Sequence, residues 1–162
     1  MSDVLANDVR GQYDKAFATI QKIIEAFPDD KWLQPHGDEY YIPCRIAYHL
    51  AVFIDGFVGE GNKVEGWGAS LPFGSWYDGT SETLPAKDKF LPYFEAAVAK
   101  ATSVLAGLSD DDVVAVLDPD QARFGASNVG KHLYFMRELS DHTGELNKML
   151  IENGLDDIWV SR

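Results

Sequence analysis

Two histidines of this 162-residue sequence lie where core residues are expected. His49 falls within a nearly all-apolar segment, and His142 falls between Leu139 and Leu146 of an apolar helical stripe. Glu138 precedes His142 by four residues, which places both side chains on one face of a helix. With His49 from a facing helix, they would offer two imidazoles and a carboxylate to a divalent metal such as zinc, nickel, iron or manganese. Three protein ligands leave positions open for water or substrate, as catalysis requires.

The same residues also have a purely structural interpretation. A buried imidazole is hydrogen-bonded or metal-bound, because an unpaired one is costly. Glu-x-x-x-His is common in helices by chance, and on spacing alone hydrogen-bonded core histidines are favoured over a metal site. Arg45, one turn before His49, can pair with Glu138 or Glu145 and form a salt-bridge cluster without a metal. Glu145, three residues after His142, is a candidate partner of that histidine or a general base.

Four long amphipathic segments must position these side chains. Apolar residues recur at intervals of three and four in each of them, which predicts helices. The predicted helices cover residues 3–27, Ile42 to about Ile54 with an end at Gly59–Gly61, about Pro85 to Leu105, and Ser127 or Asn128 to about Asn153. Without a strand pattern, the chain is expected to be one all-α domain over residues 1–162, an up-down four-helix bundle.

Several features of these elements can be predicted more closely. Ser2 or Asp3 is expected to cap the first helix, and Ser127 or Asn128 the last one. Residues 109–117 are expected to form either a short capped helix or an edge segment. The apolar stripe of the last helix is assigned to Val129, Leu133, Met136, Leu139, Leu146 and Leu150.

A long loop, residues 59–85, separates the second and third predicted helices. It contains six glycines together with Trp67, Phe73, Trp76 and Tyr77. The aromatic residues argue against disorder, and loops of this length inside a compact domain are often functional. The loop either packs its aromatics over one end of the bundle or forms the lid or wall of a pocket.

Composition narrows the class of protein. The formal net charge of −12 argues against binding to nucleic acid or to anionic membrane surfaces. The single cysteine, Cys44, allows no intrachain disulfide. No apolar stretch approaches the roughly 18 residues of a membrane span, and the N-terminus lacks a signal-peptide pattern. A cytoplasmic location is therefore expected.

Two segments resemble the DinB-like (YfiT-like) superfamily. Residues 41–51, YIPCRIAYHLA, resemble its second-helix motif, in which an aromatic residue and a short turn lead into a helix ending in a metal-binding His-Leu. Residues 138–146, ELSDHTGEL, resemble its fourth-helix motif His-x-x-x-His-x-Gly-Gln/Glu-Leu. The order of predicted elements is similar over nearly the whole chain.

The resemblance implies a four-helix bundle, often dimeric, with a divalent metal held by one residue of the second helix and two of the fourth. By motif position these ligands are His49, Glu138 and His142. Glu138 stands where the family usually has histidine, which adds negative charge and favours harder metals. The resemblance thus implies a homodimeric metal-dependent hydrolase or thiol-dependent transferase for a small-molecule substrate, with Glu145 as the candidate base. The alternative is a non-catalytic bundle whose His/Glu cluster is structural and which acts through a dimer or partner surface.

Overall fold

The computed structural model describes residues 3–58 and 71–160, and it contains no β-strand within these ranges. The all-α prediction is therefore confirmed for this part of the chain. In chain order the helices are α1 (Val4–Ala26), α2 (Pro43–Phe53) continued by a π-helical turn (Ile54–Val58), α3 (Lys87–Ala106), α4 (Asp110–Val114), a 3-10 turn (Pro119–Phe124) and α5 (Asn128–Glu152).

The helix α2 is the most buried element, because apolar side chains surround its axis. Pro43 occupies its first turn, where the missing N–H would have no intrahelical partner. Every residue of α2 is buried. The helix packs against α3 and α5, and α1 packs against the same two helices. The predicted end of this segment at Gly59–Gly61 lies outside the described residues.

The predicted helix termini agree with the structure to within about two residues, but the predicted caps do not form. Asp3 and Ser127 occupy the N-cap positions of α1 and α5 without capping through their side chains. The amide of Ala6 in α1 donates instead to Oδ1 of Asp110, at 2.9 Å. A carboxylate 104 residues away thus satisfies a free amide of the first turn.

The segment after α3 combines both of its predicted forms. Ser109 and Asp112 form a reciprocal capping box that starts the short helix α4. Val116 then forms an isolated bridge with Ser127. This bridge leads the chain directly into α5.

The predicted apolar stripe of α5 is wrong at its beginning. Leu133 is 66% exposed and Val129 is also exposed, whereas Phe135 is buried. The Phe135 ring contacts Phe53 at the end of α2 and Phe124 in the 3-10 turn, with centroids 5.2 and 5.6 Å apart. These neighbours select the Phe135 face of α5, which a periodicity taken from α5 alone does not reveal.

No helix within residues 3–58 or 71–160 combines the length and the apolar character needed to cross a membrane.

Candidate metal centre

Three predicted ligands from two helices meet in the structure. The Nε2 atom of His49 lies 3.3 Å from Oε1 of Glu138, and Nε2 of His142 lies 3.4 Å from the same oxygen. One donor atom from each residue lies within 4.8 Å of the others. Ligands about 2.1 Å from a tetrahedral zinc ion are roughly 3.4 Å apart. The cluster is therefore already close to the spacing that one ion requires, and it could hold a metal.

The helix α2 buries His49 and keeps it neutral. The side chain is only 7% exposed. Burial lowers the pKa of His49 and outweighs the opposing effect of its hydrogen bond with Glu138. A neutral imidazole is the form that binds metals.

Glu138 remains ionised within the same cluster. Its hydrogen bond with His49 is the main cause that lowers the pKa of the carboxyl group, and the nearby His142 acts in the same direction. The carboxylate is 24% exposed, so this side of the cluster is open to solvent. A neutral imidazole and a carboxylate together carry the charge state that a divalent cation requires.

His142 is oriented by a second carboxylate on its own helix. Its Nδ1 atom lies 2.7 Å from Oε2 of Glu145, one turn further along α5. Since the carboxylate accepts the Nδ1 proton, Nε2 is left as the free donor atom that faces Glu138. This is the carboxylate–histidine arrangement that commonly supports metal ligands. The predicted partnership between Glu145 and His142 is confirmed.

His49 lacks such a second partner among the described residues. Its Nδ1 atom is buried without a hydrogen bond. The indole ring of Trp76 covers the imidazole instead, with ring centroids 4.2 Å apart, and the ring of His142 meets it edge-on at 4.5 Å. Packing rather than hydrogen bonding therefore holds the imidazole of His49 in place.

Trp76 belongs to residues 71–85, the described part of the predicted 59–85 loop. In this part both predicted roles occur together. Phe73 packs its ring on Tyr48 of α2, while Trp76 walls the cluster by covering His49. The sequence signal was the group of aromatic residues in a glycine-rich loop, but it did not single out Trp76. Residues 59–70, including Trp67, lie outside the described part of the chain.

The predicted pairing of Arg45 with Glu138 or Glu145 is wrong. The Nη1 group of Arg45 donates to the carbonyl oxygen of Glu39 at 2.9 Å, and its Nη2 group donates to that of Tyr77. Two main-chain segments that flank the start of α2 compete for the guanidinium and draw it away from the cluster. The cluster is therefore not a salt-bridge group built around Arg45.

The remaining two histidines lie outside the cluster. The Nδ1 atom of His132 is 3.0 Å from the hydroxyl of Tyr13, and burial lowers the pKa of His132 to about 4. The Nδ1 atom of His36 lies 3.0 Å from Glu152. Both histidines have protein partners and do not contribute to the candidate centre.

Comparison with known protein families, curated proteins and solved structures found no match for this chain. The chemistry of the site therefore has to be argued from its own residues.

Proposed function

We propose that this protein is an up-down four-helix bundle of the DinB-like kind that binds one divalent transition metal through His49, Glu138 and His142. The convergence of their donor atoms within 4.8 Å is the observation that carries the proposal. The motif resemblance, which places ligands at the same three positions, supports it independently.

The donor set fits a metal of borderline hardness. Two imidazoles suit zinc, nickel, iron and copper, and a carboxylate extends the range toward manganese. Two histidines and one carboxylate are also the ligands of the facial triad of non-haem iron sites. The orphaned Nδ1 of His49 is the one feature that departs from a fully supported ligand set.

We propose a hydrolase or thiol-dependent transferase activity on a small molecule. A bound divalent ion supplies Lewis-acid chemistry, which polarises a substrate or lowers the pKa of a water or thiol. His49 and Trp76 exclude water from the buried side, and Glu138 borders the open side. Glu145 orients His142 and is one-third exposed, so its carboxylate is accessible as the proposed general base.

The test is elemental analysis of protein purified without a histidine tag. We expect about one transition metal per chain in the wild type, and a loss of that metal in His142→Ala. His36→Ala is the matched control, because it removes a histidine whose partner is Glu152, outside the cluster. A wild type that stays metal-free after incubation with zinc, nickel and manganese would overturn the proposal.

The second candidate is a non-catalytic bundle with a structural polar cluster. The contact of both histidine rings with one carboxylate oxygen favours it, since this arrangement pairs the buried polar atoms without any ion. The two candidates differ in how metal affects stability. Binding to the native state alone stabilises it by about 2.7 kcal/mol at a metal concentration of 100 times Kd, and a structural cluster predicts no such increase in Tm.

A further inference from the structure

Arg45 joins two segments that border the candidate metal centre. One of its nitrogens donates to the Glu39 carbonyl, in the connector that precedes α2. Another donates to the Tyr77 carbonyl, in residues 71–85. The guanidinium also lies 4.9 Å from the ring centre of Tyr40 and 5.6 Å from that of Tyr77. Arg45 thus clamps two otherwise separate main-chain segments.

The environment of Arg45 is unusual for a buried cation. The residue is only 8% exposed, and its partners in the described chain are carbonyl oxygens and tyrosine rings rather than carboxylates. Removing a charge from water is costly, and an ion pair is the usual compensation. A planar guanidinium can instead bridge two carbonyls and stack on aromatic faces, which a lysine cannot do in the same way.

The clamped segment is the one that covers His49. Trp76 directly precedes Tyr77, whose carbonyl Arg45 binds, and its ring lies against the imidazole. A second anchor comes from the next turn of α2, where the Tyr48 hydroxyl donates to the Gly74 carbonyl at 3.0 Å. Gly74 has a φ of +77°, a conformation that favours glycine and turns the chain toward Trp76.

We infer that Arg45 is a positioning residue of the metal centre: by clamping residues 71–85 to α2, it holds Trp76 against His49 and keeps the imidazole in its ligating orientation. This inference rests on the proposed function. His49 depends on this packing more than His142 does, because its Nδ1 has no hydrogen-bond partner among the described residues to orient the ring. Loss of the clamp should therefore weaken metal binding although every ligand remains.

The experiment measures zinc affinity by competition with a chelator, together with hydrogen–deuterium exchange of the metal-free protein. Arg45→Met should weaken zinc binding by about 10- to 100-fold, the usual effect of losing an outer partner of a ligand. It should also accelerate exchange in peptides from residues 71–85. Arg45→Lys keeps the charge but cannot bridge both carbonyls as a planar fork, so it should fold normally and show part of each effect.

Arg10→Met is the matched control. The Arg10 guanidinium also binds main-chain carbonyls, those of Leu105 and Leu108 after and at the end of α3, but it contacts no residue of the cluster or of residues 71–85 among its described partners. This variant should leave zinc affinity and the exchange of residues 71–85 unchanged. Wild-type zinc binding that Arg45→Met retains within twofold would overturn the positioning role alone. Absence of zinc binding in the wild type would overturn the proposed function and this inference together.

Discussion

The Nδ1 atom of His142 lies 2.7 Å from Oε2 of Glu145, one turn apart on the same helix. This contact selects the imidazole tautomer that presents Nε2 to Glu138 and, 3.3 Å beyond its Oε1, to His49. The helix α5 therefore supplies two candidate ligands and also the group that orients one of them. The other ligand, His49, is oriented by packing.

Replacing Glu145 should reveal whether its contact with His142 matters for metal binding. In Glu145→Gln a neutral amide oxygen replaces the carboxylate that accepts the Nδ1 proton, so His142 becomes a weaker ligand. We expect zinc affinity to fall by about 10- to 100-fold in a chelator competition. Glu152→Gln is the control, since that carboxylate contacts His36 instead of a ligand. Equal affinities in the two variants would contradict the orienting role.

Glu138 should determine which metal the centre prefers. Glu138→His would create three imidazole ligands, which suit softer ions than a carboxylate does. We expect the ratio of zinc to manganese affinity to increase relative to the wild type, as measured by titration with each metal separately. An unchanged ratio would show that Glu138 does not ligate the ion.

Stability should fall on acidification because of His132, away from the metal centre. Burial lowers its pKa from about 6.5 in the unfolded chain to about 4 in the fold. The unfolded chain therefore binds more protons between these values. The stability that the neutral imidazole contributes is complete above pH 6.5 and is lost as the pH falls toward 4.

The expected slope from His132 is at most about 1.4 kcal/mol per pH unit in that window. Measurements of Tm between pH 4 and 7 on metal-free protein check this prediction. His132→Gln should fold with a smaller dependence on pH, because the amide does not titrate and can still accept the Tyr13 hydroxyl hydrogen bond. An equally steep dependence in the variant would assign the effect to other groups.

The homodimer that the resemblance implies stays a prediction, and the exposed start of α5 offers a test of it. Leu133 is 66% exposed, so Leu133→Asp should change the stability of a monomer by no more than about 0.5 kcal/mol. If a dimer covers this face, the variant should sediment as a monomer. Val104→Asp, at an exposed apolar position of α3, is the control. A dimer that persists in Leu133→Asp would place the interface elsewhere.

The local features of the chain were predictable from its sequence. The apolar spacing of α1 and α3 marks their inward faces, because a regular helix repeats every 3.6 residues whatever its surroundings. Glu138 and His142 share a face for the same reason. The proline of the first turn and the apolar character around the axis likewise predicted that α2, with His49, would be buried.

The tertiary structure decided the features that depend on distant partners. Glu138 meets His49 across 89 residues of chain, and Phe135 replaces Leu133 in the core because Phe53 and Phe124 lie opposite it. Only the folded chain brings two carbonyl oxygens to Arg45, which removes it from the carboxylates that its helical position suggested.

By itself, then, the sequence determined the chemical types of the candidate ligands and their helical register, because both follow from residue identity and local backbone geometry. Only the tertiary structure decided that Trp76 covers His49 and that the three donor atoms lie within reach of one ion. The physical reason is that the packing of separate helices and loops sets these distances, and no local periodicity encodes which surfaces will meet.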